Sequence, residues 1–148
     1  MRKTYPDTPL TSLHRFEFIL QHQSDKFLRD SLGVGFGQVR IMEEIHDVIP
    51  RSQREIAARL YQTEANISRQ LKELKRHGLV KISPHKNDKR QRDVSLTAKG
   101  KKKYDQAQKL VAKQHSQLLR LLSKNELKTF EHGIHNLIAA FGGPPSSR

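Results

Sequence analysis

Basic side chains recur at helical spacing in the middle of the chain. Arg69, Lys72 and Arg76 fall at i, i+3 and i+7, which places three cations along one face of a helix. A guanidinium can donate paired hydrogen bonds to phosphates or base edges, and an ammonium neutralises phosphate as a point charge. The spacing therefore predicts binding to a polyanion. The alternative is an ordinary solvated helix face, which also carries cations.

A second basic group follows within ten residues. The polar stretch 84–92 contains His85, Lys86, Lys89, Arg90 and Arg92. From residue 69 to residue 103 there are 13 Lys and Arg against three acids, whereas the whole 148-residue chain has 28 against 15. Most of the net charge of +13 thus lies in one segment. Such concentration favours a polyanion-binding surface over a dispersed charged face.

The residue types needed for catalysis are poorly represented. The chain has no Cys, which excludes a thiol nucleophile, a disulfide, a thiolate zinc site and sensing by thiol oxidation. The acids of the basic segment, Glu73, Asp88 and Asp93, are each surrounded by cations and do not form the carboxylate cluster of a metal-dependent nuclease. The sequence has no Gly-rich phosphate loop of the nucleotide-binding kinds. We expect neither enzymatic activity nor a cofactor.

Eight histidines raise the question of a metal site. His132 and His135 stand at i, i+3 and are the weak candidates, since His14, His22 and His115 lie on helices that could approach them. Ligand spacing without Cys and with few acids nearby is more typical of solvent-facing or hydrogen-bonded histidines. The expectation is therefore that no metal binds.

Apolar runs are short throughout the chain. The longest spans Leu137 to Phe141, far below the ~20 residues that cross a bilayer. The first twenty residues mix charged and apolar side chains and lack a signal-peptide core. We expect a soluble, cytoplasmic protein with no membrane partner.

Helical periodicity surrounds the first basic group. A long helix is predicted from Thr8 and Pro9 to Gly33, followed by a glycine-containing loop over 33–37. The apolar residues from Val39 to Ile45 predict a second helix that ends before Pro50. Ser52 and Glu55 form a capping box that opens a short helix. After a tight connection at residues 61–62, Thr63 can cap a helix that runs to residue 77, with Gly78 as its stop.

The period then changes to that of strands. Residues 79–82 and 93–96 alternate between polar and apolar side chains, which predicts two short strands joined by the basic loop. Two more helices follow, over 97–122 and from a second capping box at Ser123 and Glu126 to residue 141. The order indicates a mainly α fold with a small β-wing: a winged helix-turn-helix between long terminal helices. A cation-faced helix of this kind fits the major groove of DNA.

The sequence resembles the MarR-type transcriptional regulators. Asp88, Arg90, Leu96, Thr97 and Gly100 match the family's wing pattern of Asp-x-Arg, five residues, then Leu-Thr-x-x-Gly. The segment from Ile67 to Val80 is similar to the family's recognition helix and first wing strand. The chain differs from the common pattern at residues 61 and 62, where many members place a Gly, and at residue 64, an acid.

The resemblance implies roles for particular residues. Arg90 would enter the minor groove from the wing tip, and Asp88 would support the wing. Leu96 would anchor the second strand, Thr97 would cap the next helix and Gly100 would allow close packing. Ser68 would reach a phosphate, and Ala65, Asn66 and Arg69 would face base edges. The remaining candidate DNA contacts are Thr63, Lys72, Arg76, Lys86, Lys89 and Arg92.

The resemblance also implies a homodimer. Residues 1–148 would form one domain, with a DNA-binding lobe over about 36–100 and dimerisation helices over about 8–33 and 101–142. Such a dimer would regulate transcription, as a repressor, from a pseudo-palindromic operator, and a small aromatic or phenolic ligand would release it. Two alternatives remain open: a constitutive or architectural DNA-binding protein with no effector, and a winged-helix module that binds RNA or protein.

Overall fold

The computed structural model describes residues 8–46, 50–85 and 92–142. Within these ranges the chain forms six helices and three strands, and the fold class predicted from the sequence is confirmed. In chain order the elements are α1 (Pro9–Leu32), α2 (Phe36–Glu44), β1 (Arg51–Ser52), α3 (Gln53–Arg59), α4 (Glu64–Arg76), β2 (Val80–Pro84), β3 (Arg92–Leu96), α5 (Ala98–Leu119) and α6 (Lys124–Ala140).

Helix starts follow the local signals in the sequence. Thr8 caps α1 with Pro9 in the first helical position, and Ser52 and Ser123 form the two predicted capping boxes of α3 and α6. Thr63 caps α4 through its hydroxyl. In each case a side-chain oxygen accepts a hydrogen bond from a backbone N–H that the helix itself cannot satisfy.

The sheet has the strand order β1-β3-β2, and both pairings are antiparallel. In the wing hairpin Val80 lies opposite Leu96 and Ile82 lies opposite Val94. On the other edge Arg51 lies opposite Val94. The wing is therefore attached through β3 to the residues that open α3.

The chain divides into two compact units, the first ending at Leu110 and the second beginning at Val111. The core of the first unit joins α1, α2, α3, α4 and the sheet. Its fully buried side chains include Leu28, Ile41, Met42, Ile56, Ile67, Leu71, Leu74 and Val94. The second unit holds the end of α5 and the whole of α6, which has no buried residue.

The structure differs from the sequence-based expectations in a few places. Gly37 was expected in a loop but lies in α2, which begins at Phe36 with Gly35 as its N-cap. The strand β1 was not predicted. The wing strands extend to Pro84 and from Arg92, and α5 ends at Leu119 rather than at residue 122. Among the described helices, none is long and apolar enough to cross a bilayer.

Candidate nucleic-acid interface

Helix α4 separates an apolar face from a basic one. Ile67, Leu71 and Leu74 are at most 1% exposed, so one side of the helix is fixed in the core. The exposed side carries the residues predicted from the spacing: Ala65, Arg69, Lys72 and Arg76. Because the buried stripe fixes the rotation of the helix about its axis, the three cations point to solvent together.

A buried glutamine holds α4 against α2. Gln38 is 4% exposed; its Nε2 donates to Glu73 Oε2 at 2.9 Å, and its Oε1 accepts from the backbone N–H of Gly35 at 2.9 Å. A buried amide with both ends satisfied fixes the orientation of the elements that it joins. Gly37 serves the same contact, since a Cβ there would lie 2.9 Å from the Gln70 side-chain oxygen.

The start of α4 carries a chain of side-chain hydrogen bonds that the sequence analysis missed. Gln62 Oε1 accepts from Asn66 Nδ2 at 2.9 Å and from Gln70 Nε2 at 3.3 Å. Asn66 Oδ1 in turn accepts from Arg69 Nη2 at 3.0 Å. The signal in the sequence was the spacing of polar residues 62, 66 and 70, one helical turn apart.

The turn before α4 contains an unusual backbone conformation. Tyr61 has φ 52°, and no other non-glycine residue among the described ranges has a positive φ. Its side chain is 96% exposed. A positive φ is readily adopted by glycine and is uncommon for other residues. Gln53 Nε2 donates to the Glu64 carbonyl at 3.2 Å and joins the two helices across the turn.

The wing is described up to its base. His85 Nδ1 lies 2.9 Å from Asp93 Oδ1, and Arg92 beside this pair is exposed. Of the predicted contacts, Lys86, Asp88, Lys89 and Arg90 lie outside the described residues. Ser68 and Asn66 are partly buried on α4, and Thr63 is exposed at its N-cap.

Three side-chain roles at the wing base are confirmed. Leu96 is 6% exposed and lies in the core. Thr97 accepts from the Gly100 N–H at 3.0 Å, as a helix cap does, and donates to the Gly78 carbonyl at 2.7 Å. At Gly100 an added Cβ would stand 1.9 Å from the Leu79 carbonyl oxygen, so this position has no space for a side chain.

A cleft of about 320 Å³ lies between α1, α2 and the turn before α4. Its lining includes two phenyl rings, an imidazole and a guanidinium, and the residues are Phe18, Gln21, His22, Asp25, Phe36, Gly37, Arg40 and Gln62. Asp25 accepts from Arg29 Nε at 2.7 Å and from the Phe36 N–H at 2.8 Å. Burial raises the pKa of Asp25, but the hydrogen bonds from Arg29 and Phe36, together with the charge of Arg29, outweigh it and lower the pKa from its ordinary value.

Among the described residues, the candidate histidines do not form a metal site. His132 and His135 are both exposed on α6, and His132 Nε2 lies 3.1 Å from Asn136 Nδ2. Within residues 8–46, 50–85 and 92–142, no group of three or more His, Asp or Glu is placed to hold a metal ion.

Comparisons with known proteins agree with this geometry. The sequence model of the MarR family matches residues 32–91. The apo form of E. coli MarR has a TM-score of 0.71 at 25% identity, over 85% of this chain and 96% of that chain. The chain is thus similar to the MarR family in sequence over residues 32–91 and in fold over most of its length. The MarR-type match includes α2, α3, α4 and β2, the elements that position the basic face.

Structures of family members with DNA share this fold. The S. aureus MepR–DNA complex has a TM-score of 0.77 at 17% identity, over 90% of this chain and 98% of that chain. A mutant of E. coli MarR with operator DNA has a TM-score of 0.71 at 23% identity, over 91% and 99%. No curated protein sequence matches the chain.

Proposed function

We propose that this MarR-type chain is a sequence-specific regulator of transcription, a repressor, that binds double-stranded DNA as a homodimer in the cytoplasm. The observation that carries the proposal is the exposed basic face of α4, fixed in rotation by a buried apolar face. A helix presented in this way can enter the major groove, where each base pair shows a distinct pattern of donors and acceptors. No enzymatic role is proposed.

The proposed DNA contacts are of two kinds: contacts to base edges and contacts to phosphates. Arg69, Asn66 and Ala65 lie at the start of α4 and would face base edges, since the N-terminal part of a recognition helix enters the groove. Phosphates would be bound by hydroxyls and cations that flank this point: Thr63, Ser68, Lys72, Arg76 and Arg92. The wing residues Lys86, Lys89 and Arg90, with Asp88 in support, would add contacts in the minor groove.

Exposed apolar side chains on the terminal helices support the homodimer. On α1 they include Phe16, Phe18 and Ile19, which are 47%, 74% and 49% exposed. On α6 they include Phe130, Leu137 and Ile138, each 43–44% exposed. Large apolar groups at this density are typical of an interface. A two-fold dimer would read an inverted repeat with half-sites ~10–10.5 bp apart.

The cleft beside α1 supports release of DNA by a small aromatic acid. Phe18 and Phe36 offer ring faces, and Arg40 offers a guanidinium that can pair with a carboxylate. Asp25, the acid in the cleft, is hydrogen-bonded to Arg29 and to the Phe36 N–H. The Arg40 guanidinium is therefore the group that would bind the carboxylate of the ligand. Gln62 lines the cleft and also contacts α4, which links an occupied cleft to the DNA-binding face.

The decisive experiment is selection of bound duplexes from a random pool, repeated with salicylate and with zinc. We expect an inverted repeat that is lost when salicylate is present. Lys72→Ala should weaken all sequences alike and lower the salt slope by about one unit, whereas Arg69→Ala should change base preference by ~1–3 kcal/mol. Binding without any enriched repeat would favour the architectural alternative, and binding of single-stranded RNA in preference to duplex DNA would favour the RNA-binding alternative.

A further inference from the structure

We infer that Gln62 is a positioning residue for base recognition: through Asn66 it holds the Arg69 guanidinium ready to bind a guanine. This inference rests on the proposed function, because it assumes that α4 faces DNA. Gln62 itself lies before the helix and need not touch a base. We call the three side chains Gln62, Asn66 and Arg69 the α4 relay.

The geometry fixes the direction of each amide in the α4 relay. Two donors, Asn66 Nδ2 and Gln70 Nε2, converge on Gln62 Oε1. If the Asn66 amide were turned over, its oxygen would face the Gln62 oxygen and its NH2 would face the guanidinium, so both hydrogen bonds would be lost. The hydrogen bond to Gln62 therefore orients the Asn66 amide so that its oxygen faces Arg69.

The held guanidinium retains the donors that base reading needs. One N–H of Arg69 Nη2 is engaged by Asn66 Oδ1 at 3.0 Å, and a guanidinium has five N–H donors in a fixed fork. A guanine presents O6 and N7 as two adjacent acceptors in the major groove. Since Arg69 is exposed and already oriented, less side-chain freedom is lost on binding than for an unrestrained arginine. The relay thus favours guanine at one position of each half-site.

Two substitutions of Gln62 separate its effect on the orientation of Asn66 and Arg69 from the effect of charge at this position on DNA binding. Gln62→Ala removes the acceptor, so Asn66 and Arg69 lose their fixed orientation. Gln62→Glu retains an oxygen that can accept from both Asn66 and Gln70, and it should rescue base preference even though the added negative charge weakens binding to all duplexes. Lys72→Ala is the matched control, because it removes an exposed cation of α4 outside the relay.

The test uses the full chain and random-pool selection, followed by titration of the selected duplex and of its single-base variants. We expect the wild type to prefer guanine at one symmetric position. Arg69→Ala should abolish that preference, Gln62→Ala should reduce it roughly three- to tenfold, and Gln62→Glu should restore it. Adding Gln62→Ala to Arg69→Ala should change nothing further, because the first residue acts through the second.

Three results would overturn the inference. Gln62→Ala could keep the wild-type preference, or it could weaken all duplexes uniformly as Lys72→Ala does, or its effect could persist in full in the Arg69→Ala background. In each of these cases the wild type still selects an inverted repeat, so the proposed function stands. If the wild type itself selects no repeat, the proposed function and this inference both fail.

Discussion

At the scale of single residues, Tyr61 adopts a backbone conformation that suits glycine better than tyrosine. Its φ of 52° lies in the left-handed region, where the Cβ of an L residue costs roughly 1–2 kcal/mol. The ring is 96% exposed and recovers little of this cost through burial. The turn geometry is therefore imposed by the packing of α3 and α4 on either side.

Replacing Tyr61 should reveal this strain. Tyr61→Gly is expected to raise the free energy of unfolding by about 0.5–1 kcal/mol, since the gain at positive φ exceeds the extra entropy that Gly has in the unfolded chain. Tyr61→Val should lower it by about 1 kcal/mol, because a β-branched residue tolerates this region poorly. Urea titrations of both variants at one protein concentration would measure the changes. A loss of stability in Tyr61→Gly would show that the phenol ring makes a stabilising contact.

The sequence predicts residues whose structural roles are local. Thr63, Ser52 and Ser123 bond to N–H groups three residues away, and such contacts follow from spacing alone. The α4 relay was missed because Gln62 lies before the first residue of α4 and was assigned to the turn, although its spacing to residues 66 and 70 is that of one helical turn.

At the scale of elements, the start of α5 is bound to the segment that joins α4 and β2. Lys99 Nζ donates to the His77 carbonyl at 2.9 Å, Thr97 Oγ1 to the Gly78 carbonyl at 2.7 Å, and the Thr97 N–H to the Leu79 carbonyl at 3.1 Å. Three successive carbonyls are thus engaged by one helix end. Gly100 allows this approach because it has no side chain.

A side chain at Gly100 should therefore be strongly destabilising. Gly100→Ala places a Cβ 1.9 Å from a backbone oxygen, so the backbone must move, and we expect a loss of about 2–4 kcal/mol in the free energy of unfolding. Lys102→Ala, at an exposed position of the same helix, should change it by less than about 0.5 kcal/mol. Urea denaturation followed by circular dichroism measures both. Wild-type stability in Gly100→Ala would contradict the packing described here.

The capping boxes give the fold an acid-sensitive component. The backbone N–H and the hydroxyl of Ser52 hold the pKa of Glu55 below 4.5, and the Ser123 hydroxyl and N–H lower that of Glu126 in the same way. A carboxylate with a lowered folded-state pKa contributes stability above its unfolded pKa, and this contribution is lost as the pH falls through the folded value.

Stability should accordingly fall below about pH 4.5. Glu55→Gln keeps a capping side chain but cannot ionise, so its loss of stability between pH 5 and pH 3 should be smaller than that of the wild type. Ser52→Ala should reduce the pH dependence as well, because it removes a donor to the carboxylate. Urea midpoints across this pH range provide the measurement. Identical pH dependence in all three proteins would exclude the Ser52–Glu55 capping box as a source.

Some elements were not predictable because they are defined by distant partners. The strand β1 has only two residues, too few to show alternation, and it exists because β3 supplies pairing partners at Val94 and Asp93. Gly37 stood in a glycine-containing run and was assigned to a loop. It lies in α2 because Gln38 is bonded to both Gly35 and Glu73.

At the scale of the whole molecule, α6 carries an exposed apolar face. Phe130, Ile134, Leu137 and Ile138 recur at helical spacing, and Phe141 follows the helix with 92% exposure. Large exposed apolar side chains thus lie on α1 and α6, whereas the basic face lies on α4.

Dimerisation should depend on this face. The wild type is expected to sediment as a dimer at micromolar concentration and to unfold at a higher temperature as concentration rises. Leu137→Glu should raise the dimer dissociation constant at least roughly 30-fold, because it buries a charge. Lys128→Glu, on an exposed polar position of the same helix, serves as the control. A wild type that sediments as a monomer at these concentrations would refute the homodimer.

The hydrogen bonds from the start of α5 to three carbonyls between α4 and β2 affect which duplex shapes the protein is expected to bind. These three hydrogen bonds fix α4, which is proposed to enter the major groove, relative to β2, the first strand of the wing that is proposed to contact the minor groove. In the proposed complex with DNA, the contacts of α4 and of the wing would therefore lie at a fixed distance from each other. The protein should discriminate against operators whose minor groove is wider or whose twist is altered, even where the bases that it contacts are unchanged.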